Sequence, residues 1–213
     1  MANFKTDLKN FSNTIIEKKE HITSEETTKI SLILPLIQLM GYDITDPDEV
    51  QAEYIADIGV KKGEKIDLAI LMDNKPEIIV ECKPVDTILT HDKISQLYRY
   101  FNVTNAKFGI LTNGDDYQFY TDSRTPNMMD EKPFLNIKLS KITDTQIMEL
   151  SKFTKENYNY NKIREKVDLL KYKTDIKTQI TNEMENPSEE FIKAIVKPVY
   201  NEKLTKPMRD KFN

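Results

Sequence analysis

Two acids and a lysine stand at spacings that would bring them together across a β-hairpin. Asp67, Glu81 and Lys83 lie within two segments rich in Ile, Leu and Val. The segments are residues 66–72 and 77–83, and turn-forming residues 73–76 separate them. This pattern predicts two antiparallel strands joined by a turn.

A turn centred on Asn74 would place Asp67 directly opposite Glu81. The Cβ atoms of opposed residues lie roughly 4.5–5.5 Å apart, and like charges at that spacing are destabilising. A hard divalent cation such as Mg²⁺ binds oxygen ligands and would convert the repulsion into binding. Lys83 follows Glu81 by two residues and shares its face of the strand. The hairpin therefore predicts a site with two carboxylates and one amine.

Such a site has the groups that phosphodiester hydrolysis requires: an activated water, positive charge near the phosphoryl oxygens and help for the departing 3′ alkoxide. Asp67 and Glu81 would hold Mg²⁺, or Mn²⁺ in its place, with the backbone carbonyl of Cys82 as a third protein ligand. Lys83 would orient the attacking water or stabilise the pentacovalent phosphorus. The number of metal ions, one or two, stays open.

The structural alternative is a salt bridge, in which Lys83 pairs with Glu81 or Asp67 on a solvated face. The apolar residues before Glu81 and around Asp67 instead predict strands that are covered on both sides. Unpaired charges are costly in such strands. The sequence therefore favours a functional site formed by these three residues over a surface salt bridge.

Length and composition limit the architecture. The 213 residues, of which 38% are hydrophobic, suffice for one α/β domain with an appendage. We expect a cytoplasmic protein without a membrane partner, because the chain has no membrane-spanning apolar run and no signal peptide. The single cysteine, Cys82, excludes an intramolecular disulfide. The five glycines form no phosphate-binding loop, which argues against a built-in ATP motor.

The charge is unevenly distributed along the chain. The formal net charge is −4, but residues 151–213 carry +4 and the first 150 residues carry −8. An acidic body does not exclude a nuclease, since metal-binding carboxylates contribute to it. It does weaken the expected non-specific affinity for DNA.

Two helices precede the hairpin. Residues 3–18 carry apolar side chains at helical spacing. A capping-box pattern at residues 23–26 precedes a second apolar run, which Pro35 should kink. Glu26 lies four residues before Ile30 and is expected on the apolar side of this helix. It either caps the helix or assists a cation from inside.

The remaining pattern follows the order helix, three strands, helix, two strands. The expected elements are a strand at 50–58 with a turn at 59–63, a helix at 90–101, strands at 106–111 and 117–121, an edge strand at 133–139 and a helix at 143–155. Gln96 and Tyr100 are four residues apart and lie off the expected buried stripe of their helix. They are either solvent-exposed residues or part of the site.

Together these motifs resemble the PD-(D/E)XK nuclease superfamily. Ile66-Asp67 and Glu81-Cys82-Lys83 match its active-site pattern, with Ile66 where many members have proline. Residues 25–122 are similar to the N-terminal nuclease domain of type I restriction enzyme R subunits, and to small phage or bacterial proteins that carry this domain alone. Further matching motifs are Glu26-Thr27-Thr28-Lys29, Ile33-Leu34-Pro35-Leu36, Gly41-Tyr42-Asp43, Gln96-Leu97-Tyr98-Arg99-Tyr100, Leu111-Thr112-Asn113-Gly114 and Phe119-Tyr120.

The resemblance implies a restriction-endonuclease-like α/β core, with a mixed sheet flanked by helices, and Mg²⁺-dependent cleavage of DNA. Gln96 and Tyr100 resemble the Gln-x-x-x-Tyr motif of RecB-type nucleases. Gln96 would bind the nucleophilic water or the phosphate, and Tyr100 would contact the DNA backbone. Lys93 and Arg99 near them are further expected DNA contacts. Glu26 would bind a second or water-mediated cation.

We expect a nuclease domain at residues 1–140 and a helical appendage at 141–213. The expected partners are DNA and either a second copy of the chain or a larger restriction complex. R subunits continue into a helicase that drives cleavage, and no such domain fits in this sequence. The alternative is a catalytically idle module on the same fold, which binds DNA or a partner, for example a phage protein that interferes with restriction.

Two helices are expected in the appendage, at residues 159–185 and 188–200, with a break at Asn186-Pro187-Ser188. They would form a lid, a dimer seam or a guide for DNA. The basic and aromatic residues of such a guide are Lys162, Arg164, Lys166, Lys171, Lys173, Tyr158, Tyr160 and Tyr172.

Overall fold

A computed structural model describes residues 2–55 and 65–200 of the chain. Within these residues, six strands form one mixed sheet in the order β1-β2-β3-β4-β5-β6. The strands are β1 (Val50–Tyr54), β2 (Ile66–Met72), β3 (Lys75–Cys82), β4 (Phe108–Thr112), β5 (Asp116–Tyr120) and β6 (Leu135–Lys138). The structure confirms the predicted α/β fold with a mixed sheet and a helical C-terminal part.

Helices precede, connect and follow the strands. The α-helices are α1 (Ala2–Lys18), α2 (Glu25–Thr28), α3 (Leu34–Leu39), α4 (Ser95–Val103), α5 (Asp144–Leu150), α6 (Tyr160–Glu185) and α7 (Glu189–Val196). A π-helical segment (Lys29–Ile33) joins α2 to α3, and short 3₁₀ turns lie at Lys19–His21, His91–Ile94, Leu139–Lys141 and Ser151–Phe153. The strand expected at 50–58 ends at Tyr54. Its last residues and the expected turn at 59–63 lie outside the described residues.

The turn between β2 and β3 is tighter than expected. Asp73 and Asn74 alone form it, with φ angles of 52° and 59°. Two successive positive φ angles are typical of a two-residue hairpin turn, for which Asn and Asp are favoured. The other residues of the predicted turn, Lys75 and Pro76, belong to β3.

One irregularity in this hairpin sets the register at its open end. The pairing shifts by one residue between Ile70 and Leu71. Beyond the shift, Leu68 pairs with Val80. The two-residue turn alone would leave the strands one position away from the predicted register, and the shift restores it.

A parallel pair stands at the centre of the sheet. β3 and β4 are parallel, with α4 in the connection between them, whereas every other neighbouring pair is antiparallel. Residues 78–82 of β3 are all buried. Strands that are covered on both faces read as continuous apolar runs, as this one does before Glu81. The strand that carries Glu81 is therefore covered on both faces, as the sequence predicted.

The helix α4 covers the face of the sheet that carries the predicted site. Leu97 of α4 is completely buried in one core cluster with Ala69 of β2 and Ile79 of β3. Side chains alternate between the two faces of a strand. Asp67 and Glu81, each two residues from one of these core positions, therefore share this face.

Aromatic side chains fill the opposite face. Phe108 and Phe119 alternate with the positions that face α4, and both contact Phe153 from the 3₁₀ turn after α5. The ring centroids lie 5.2 Å and 4.9 Å apart, the first pair being edge to face. Such aromatic contacts add roughly 0.5–1.5 kcal/mol each to the burial of the rings. This packing ties the segment after β6 to the sheet.

The helical segment before the sheet is irregular at Pro35. Proline has no N–H and its ring clashes with the carbonyl of the preceding turn. The expected kink takes the form of the π-helical segment Lys29–Ile33, directly ahead of Pro35. At the start of α2, Ser24 is the N-cap and accepts a hydrogen bond from the Thr27 N–H at 3.1 Å. The predicted capping box over residues 23–26 is therefore wrong by one position.

The chain divides into two compact units, Met1–Glu165 and Lys166–Asn213. This division falls later than the domain boundary that we expected after residue 140. The second unit contains most of α6, and then α7, so both expected helices are present. Tyr172, Ile176 and Ile180 form part of an exposed apolar seam along α6. No described helix has the length and hydropathy that a membrane span requires.

Replacement of Gly114 by Ala should lower the free energy of unfolding by about 1–3 kcal/mol. Gly114 has a φ of +85°, and an added Cβ would lie 2.9 Å from two Leu32 atoms. Gly41 is the matched control, because its φ is +93° but its nearest neighbour would be 3.6 Å away. Urea unfolding should show a larger loss for Gly114→Ala than for Gly41→Ala. Equal losses would mean that Leu32 does not restrict the β4–β5 turn.

Candidate active site

Asp67 and Glu81 occupy the open end of the β2–β3 hairpin, one position beyond the Leu68–Val80 pair. Glu81 is only 1% exposed, and the Asp67 side chain is 18% exposed. Lys83 follows directly after the end of β3 and binds Glu81. The structure thus brings together the three residues that the hairpin pattern singled out.

Glu81 has one carboxylate oxygen bound and one bare. Its Oε1 accepts a hydrogen bond from the Lys83 ammonium group. Its Oε2 is buried and has no hydrogen-bond partner among the described residues. Burial and the nearby negative charge of Asp67 raise the pKa of Glu81 to about 7, although Lys83 opposes this. A buried oxygen of this kind is destabilising until a ligand or proton satisfies it.

Asp67 is held at both of its oxygens. Its Oδ2 accepts a hydrogen bond from the backbone N–H of Cys82 at 2.7 Å, and its Oδ1 lies 3.3 Å from the Lys29 Nζ. The N–H and C=O of one strand residue point to the same side, so the Cys82 carbonyl is also directed toward β2. The Cys82 thiol is completely buried, and burial raises its pKa well above the ordinary value. It therefore behaves as a small hydrophobic group.

Lys83 is a cation at neutral pH. Burial lowers its pKa, but the hydrogen bond and the charge of Glu81 outweigh burial, so the net pKa is raised. A protonated amine cannot accept a proton from water. Lys83 could therefore orient the attacking water as a hydrogen-bond donor or stabilise charge at the phosphorus, which are the two roles expected from the sequence, but it could not act as a general base.

Glu26 does not point inward. Its side chain is 69% exposed and lies 3.1 Å from the Lys29 ammonium group. Ile30, which indicated the buried side in the sequence pattern, is itself 58% exposed. The expected orientation is wrong because the buried side of this helix runs through Thr28 and Leu32 instead. Its predicted role in binding a second cation therefore lacks the inward carboxylate on which it depended.

Two residues to which the sequence patterns gave no role in the site, Glu25 and Lys29, face it. They are four residues apart and so share one side of the helix. Burial lowers the pKa of Lys29, but the negative charges of Asp67 and Glu26 outweigh burial, so the net pKa is raised. Burial and the negative charge of Asp67 raise the pKa of Glu25. An acidic and a basic residue four positions apart, directly after the N-cap Ser24, form the sequence pattern that could have identified this pair.

The structure separates Gln96 from Tyr100. Gln96 is partly buried, and its Nε2 donates a hydrogen bond to the backbone carbonyl of Lys65, two residues before Asp67. Tyr100 is completely buried in the core cluster beneath α4. Its expected place off the buried stripe is wrong, and DNA cannot reach it in this conformation. Gln96 stays close to the start of β2, as the prediction of its role requires.

The basic residues expected to contact DNA also differ in exposure. Lys93 and Arg99 are exposed, and the Lys93 Nζ lies 3.2 Å from Asp92. Arg164, which we expected in a DNA guide, donates hydrogen bonds to the side chain and the backbone carbonyl of Asp122. Arg164 is therefore bound to Asp122, whereas Lys93 and Arg99 lie on the surface, and their contact with DNA stays a prediction.

The donor set suits a cation that needs few protein ligands. Among the described residues, no three His, Cys, Asp or Glu side chains are grouped closely enough to hold a metal ion. Mg²⁺ is usually bound by one or two carboxylates and keeps several waters. Asp67, the bare oxygen of Glu81 and the Cys82 carbonyl fit that requirement. They do not fit a metal that demands a closed protein cage.

The family model described as type I restriction enzyme R protein N terminus (HSDR_N) matches residues 24–133, which is more than half of the chain. The chain belongs to this family. The R protein N-terminal match begins at the N-cap of α2 and includes Asp67, Glu81, Lys83 and Gln96. Searches of curated proteins and of solved structures found no match. The family predicted from the motifs is therefore confirmed.

The R protein N-terminal family accounts for one part of the chain. The match includes Glu25 and Lys29 and ends at residue 133, before β6. Both residues missed from the sequence thus lie within the family domain, next to Asp67. The segment from α5 to α7 lies outside the match, and its predicted roles as lid, dimer seam or DNA guide stay predictions.

Replacement of Glu81 by Gln should stabilise the metal-free protein at pH 7–8. The folded protein keeps the Glu81 proton up to about pH 7, whereas an ordinary glutamate loses it near 4.5. The folded state therefore binds more protons in this window, and the free energy of unfolding falls as the pH rises through it. The rise in the pKa of Glu81 corresponds to roughly 3 kcal/mol of folding stability lost at high pH. A neutral Gln side chain would avoid this loss.

Chemical unfolding in EDTA at pH 5 and pH 8 measures this effect. Wild type should be less stable at pH 8, and Glu81→Gln should lose most of that difference. Glu17→Gln, at an exposed position on α1, is the matched control. Equal pH dependence in wild type and Glu81→Gln would show that Glu81 is ionised in the folded protein at pH 5.

Proposed function

We propose that this R protein N-terminal domain is a Mg²⁺-dependent deoxyribonuclease that hydrolyses phosphodiester bonds in DNA. The observation that carries the proposal is the bare, buried Oε2 of Glu81 beside Asp67 and Lys83. A divalent cation would supply the missing partner of this oxygen and balance the two carboxylates. The family adds support, since the R protein is part of a restriction enzyme.

The roles of the residues follow from their environments. When bound, Mg²⁺ would polarise the phosphate and lower the pKa of a bound water. Asp67, Glu81 and the Cys82 carbonyl would hold it. Lys83, which is cationic, would neutralise charge that develops on the phosphoryl oxygens. In the reaction a bond forms from the water oxygen to phosphorus and the bond to O3′ breaks, which leaves a 5′-phosphate and a 3′-hydroxyl group.

Two further contributions come from α4 and the turn before it. Gln96, beside the start of β2, would donate a hydrogen bond to the phosphate or orient the water. Lys93 and Arg99 are exposed and would contact the DNA backbone, which positions the duplex without reading its sequence. Tyr100 is buried and would not contact DNA.

A second candidate function is a catalytically idle module that binds DNA or a protein partner. The observation that favours it is the pairing of each site carboxylate with a lysine, Glu81 with Lys83 and Asp67 with Lys29. An arrangement of this kind can exist without any metal ion, as a buried ion-pair network. On this account the site residues would stabilise the hairpin end and not react.

Lys83→Ala should reduce DNA nicking by about 10²-fold or more, because a preorganised positive charge on the phosphate is lost. The assay is conversion of supercoiled plasmid in the presence of Mg²⁺ or Mn²⁺, with EDTA as the blank. Lys152→Met is the control, since Lys152 pairs with Glu149 on the turn after α5. This variant should nick as wild type does.

Asp67→Asn and Glu81→Gln separate the two candidate functions. In a metal-dependent nuclease both variants should lose nicking and Mn²⁺ binding, while circular dichroism reports an unchanged fold. If wild type and Lys83→Ala are equally inactive on plasmid, single-stranded and branched DNA, the idle module is the better account.

A further inference from the structure

We infer that Lys29 sets the cation affinity of the site and makes cation binding depend on DNA. This inference rests on the proposed function. It assigns Lys29 a positioning role that acts through Asp67.

The charges at the site are nearly balanced without a metal ion. Three acidic side chains that face the site, those of Glu25, Asp67 and Glu81, interact with the two ammonium groups of Lys29 and Lys83. A fourth acid, Glu26, also pairs with Lys29, but its side chain is 69% exposed and water screens its charge. The lysine side chains are 11% and 19% exposed, so water and salt screen them weakly. A divalent cation added to this group would leave excess positive charge in a poorly screened place.

Lys29 opposes the cation at Asp67, where both carboxylate oxygens already have partners, whereas Lys83 binds only one oxygen of Glu81. The Lys29 Nζ lies 3.3 Å from Asp67 Oδ1, while the Cys82 N–H occupies Oδ2. A cation bound to Asp67 would therefore lie close to an ammonium group of like charge. The Lys29 ammonium group also lies 3.1 Å from Glu26, so without another anion both of its acidic partners keep it beside Asp67.

A DNA phosphate would neutralise the excess positive charge at the site. One phosphodiester brings one negative charge and can accept hydrogen bonds from an ammonium group. Lys29 would then pair with the phosphate and release an Asp67 lone pair to the cation. Cation and DNA should each tighten the binding of the other by the same factor, since coupling between two ligands is reciprocal. The site would bind its cation weakly until DNA is present.

The test is Mn²⁺ affinity, measured by electron paramagnetic resonance of the free ion. Each protein is titrated alone and with a short duplex of phosphorothioate linkages, which keep the negative charge and resist hydrolysis. For wild type, DNA should tighten Mn²⁺ binding about fivefold or more. Lys29→Met should bind Mn²⁺ more tightly than wild type without DNA and show a smaller effect of DNA.

Two variants control for charge and for position. Lys29→Arg keeps the cation and should behave as wild type does. Lys152→Met removes a lysine that pairs with Glu149 elsewhere in the same unit, and it should leave Mn²⁺ affinity unchanged. Melting in EDTA checks folding, and Lys29→Gln serves as a second neutral variant if Lys29→Met does not fold.

The outcomes distinguish this inference from the proposed function. Equal or weaker Mn²⁺ affinity in a folded neutral variant would overturn the inference, because Lys29 would then only anchor Asp67. The proposed function would still stand if wild type binds Mn²⁺ and Asp67→Asn does not. Absence of Mn²⁺ binding to wild type, with or without DNA, would overturn both.

Discussion

The close approach of two carboxylates at the open end of a covered hairpin is the constraint on which the rest of the site depends. Asp67 and Glu81 repel each other, and burial strengthens this repulsion. Two lysines and a backbone N–H offset this repulsion, yet one oxygen of Glu81 has no hydrogen-bond partner within residues 2–55 and 65–200. A fold that keeps such an oxygen buried gives up stability, as functional sites often do.

Each surrounding element helps to maintain this arrangement. The register shift in the hairpin puts the two acids opposite each other, and the parallel β3–β4 pair with α4 above it keeps Glu81 away from water. The π-helical segment ahead of Pro35 begins at Lys29, beside Asp67. The membership of the chain in the R protein N-terminal family gives these features a common context, since the match contains all of them.

The sequence predicted the order of the strands and helices along the chain, and the central group of residues, because both depend on local patterns. Apolar alternation and turn residues located the strands, and their spacing joined Asp67 to Glu81. Prediction from the sequence failed where the direction of a side chain depends on tertiary packing. Ile30 is apolar yet exposed, which misplaced Glu26, and Tyr100 fills a core position that its spacing alone did not reveal. Lys29 was given no role for the same reason, since the sequence placed the buried side of its helix at Ile30, whereas that side runs through Thr28 and Leu32.

Crystals of the protein soaked in Mn²⁺ provide the most direct measurement, through the anomalous scattering of the ion. The account predicts one strong peak between the two acids, about 2.1 Å from Glu81 Oε2 and from an oxygen of Asp67. An absent peak at saturating Mn²⁺, with Glu81 Oε2 still bare, would contradict it. A peak bound only to surface carboxylates such as Glu26 would contradict it as well.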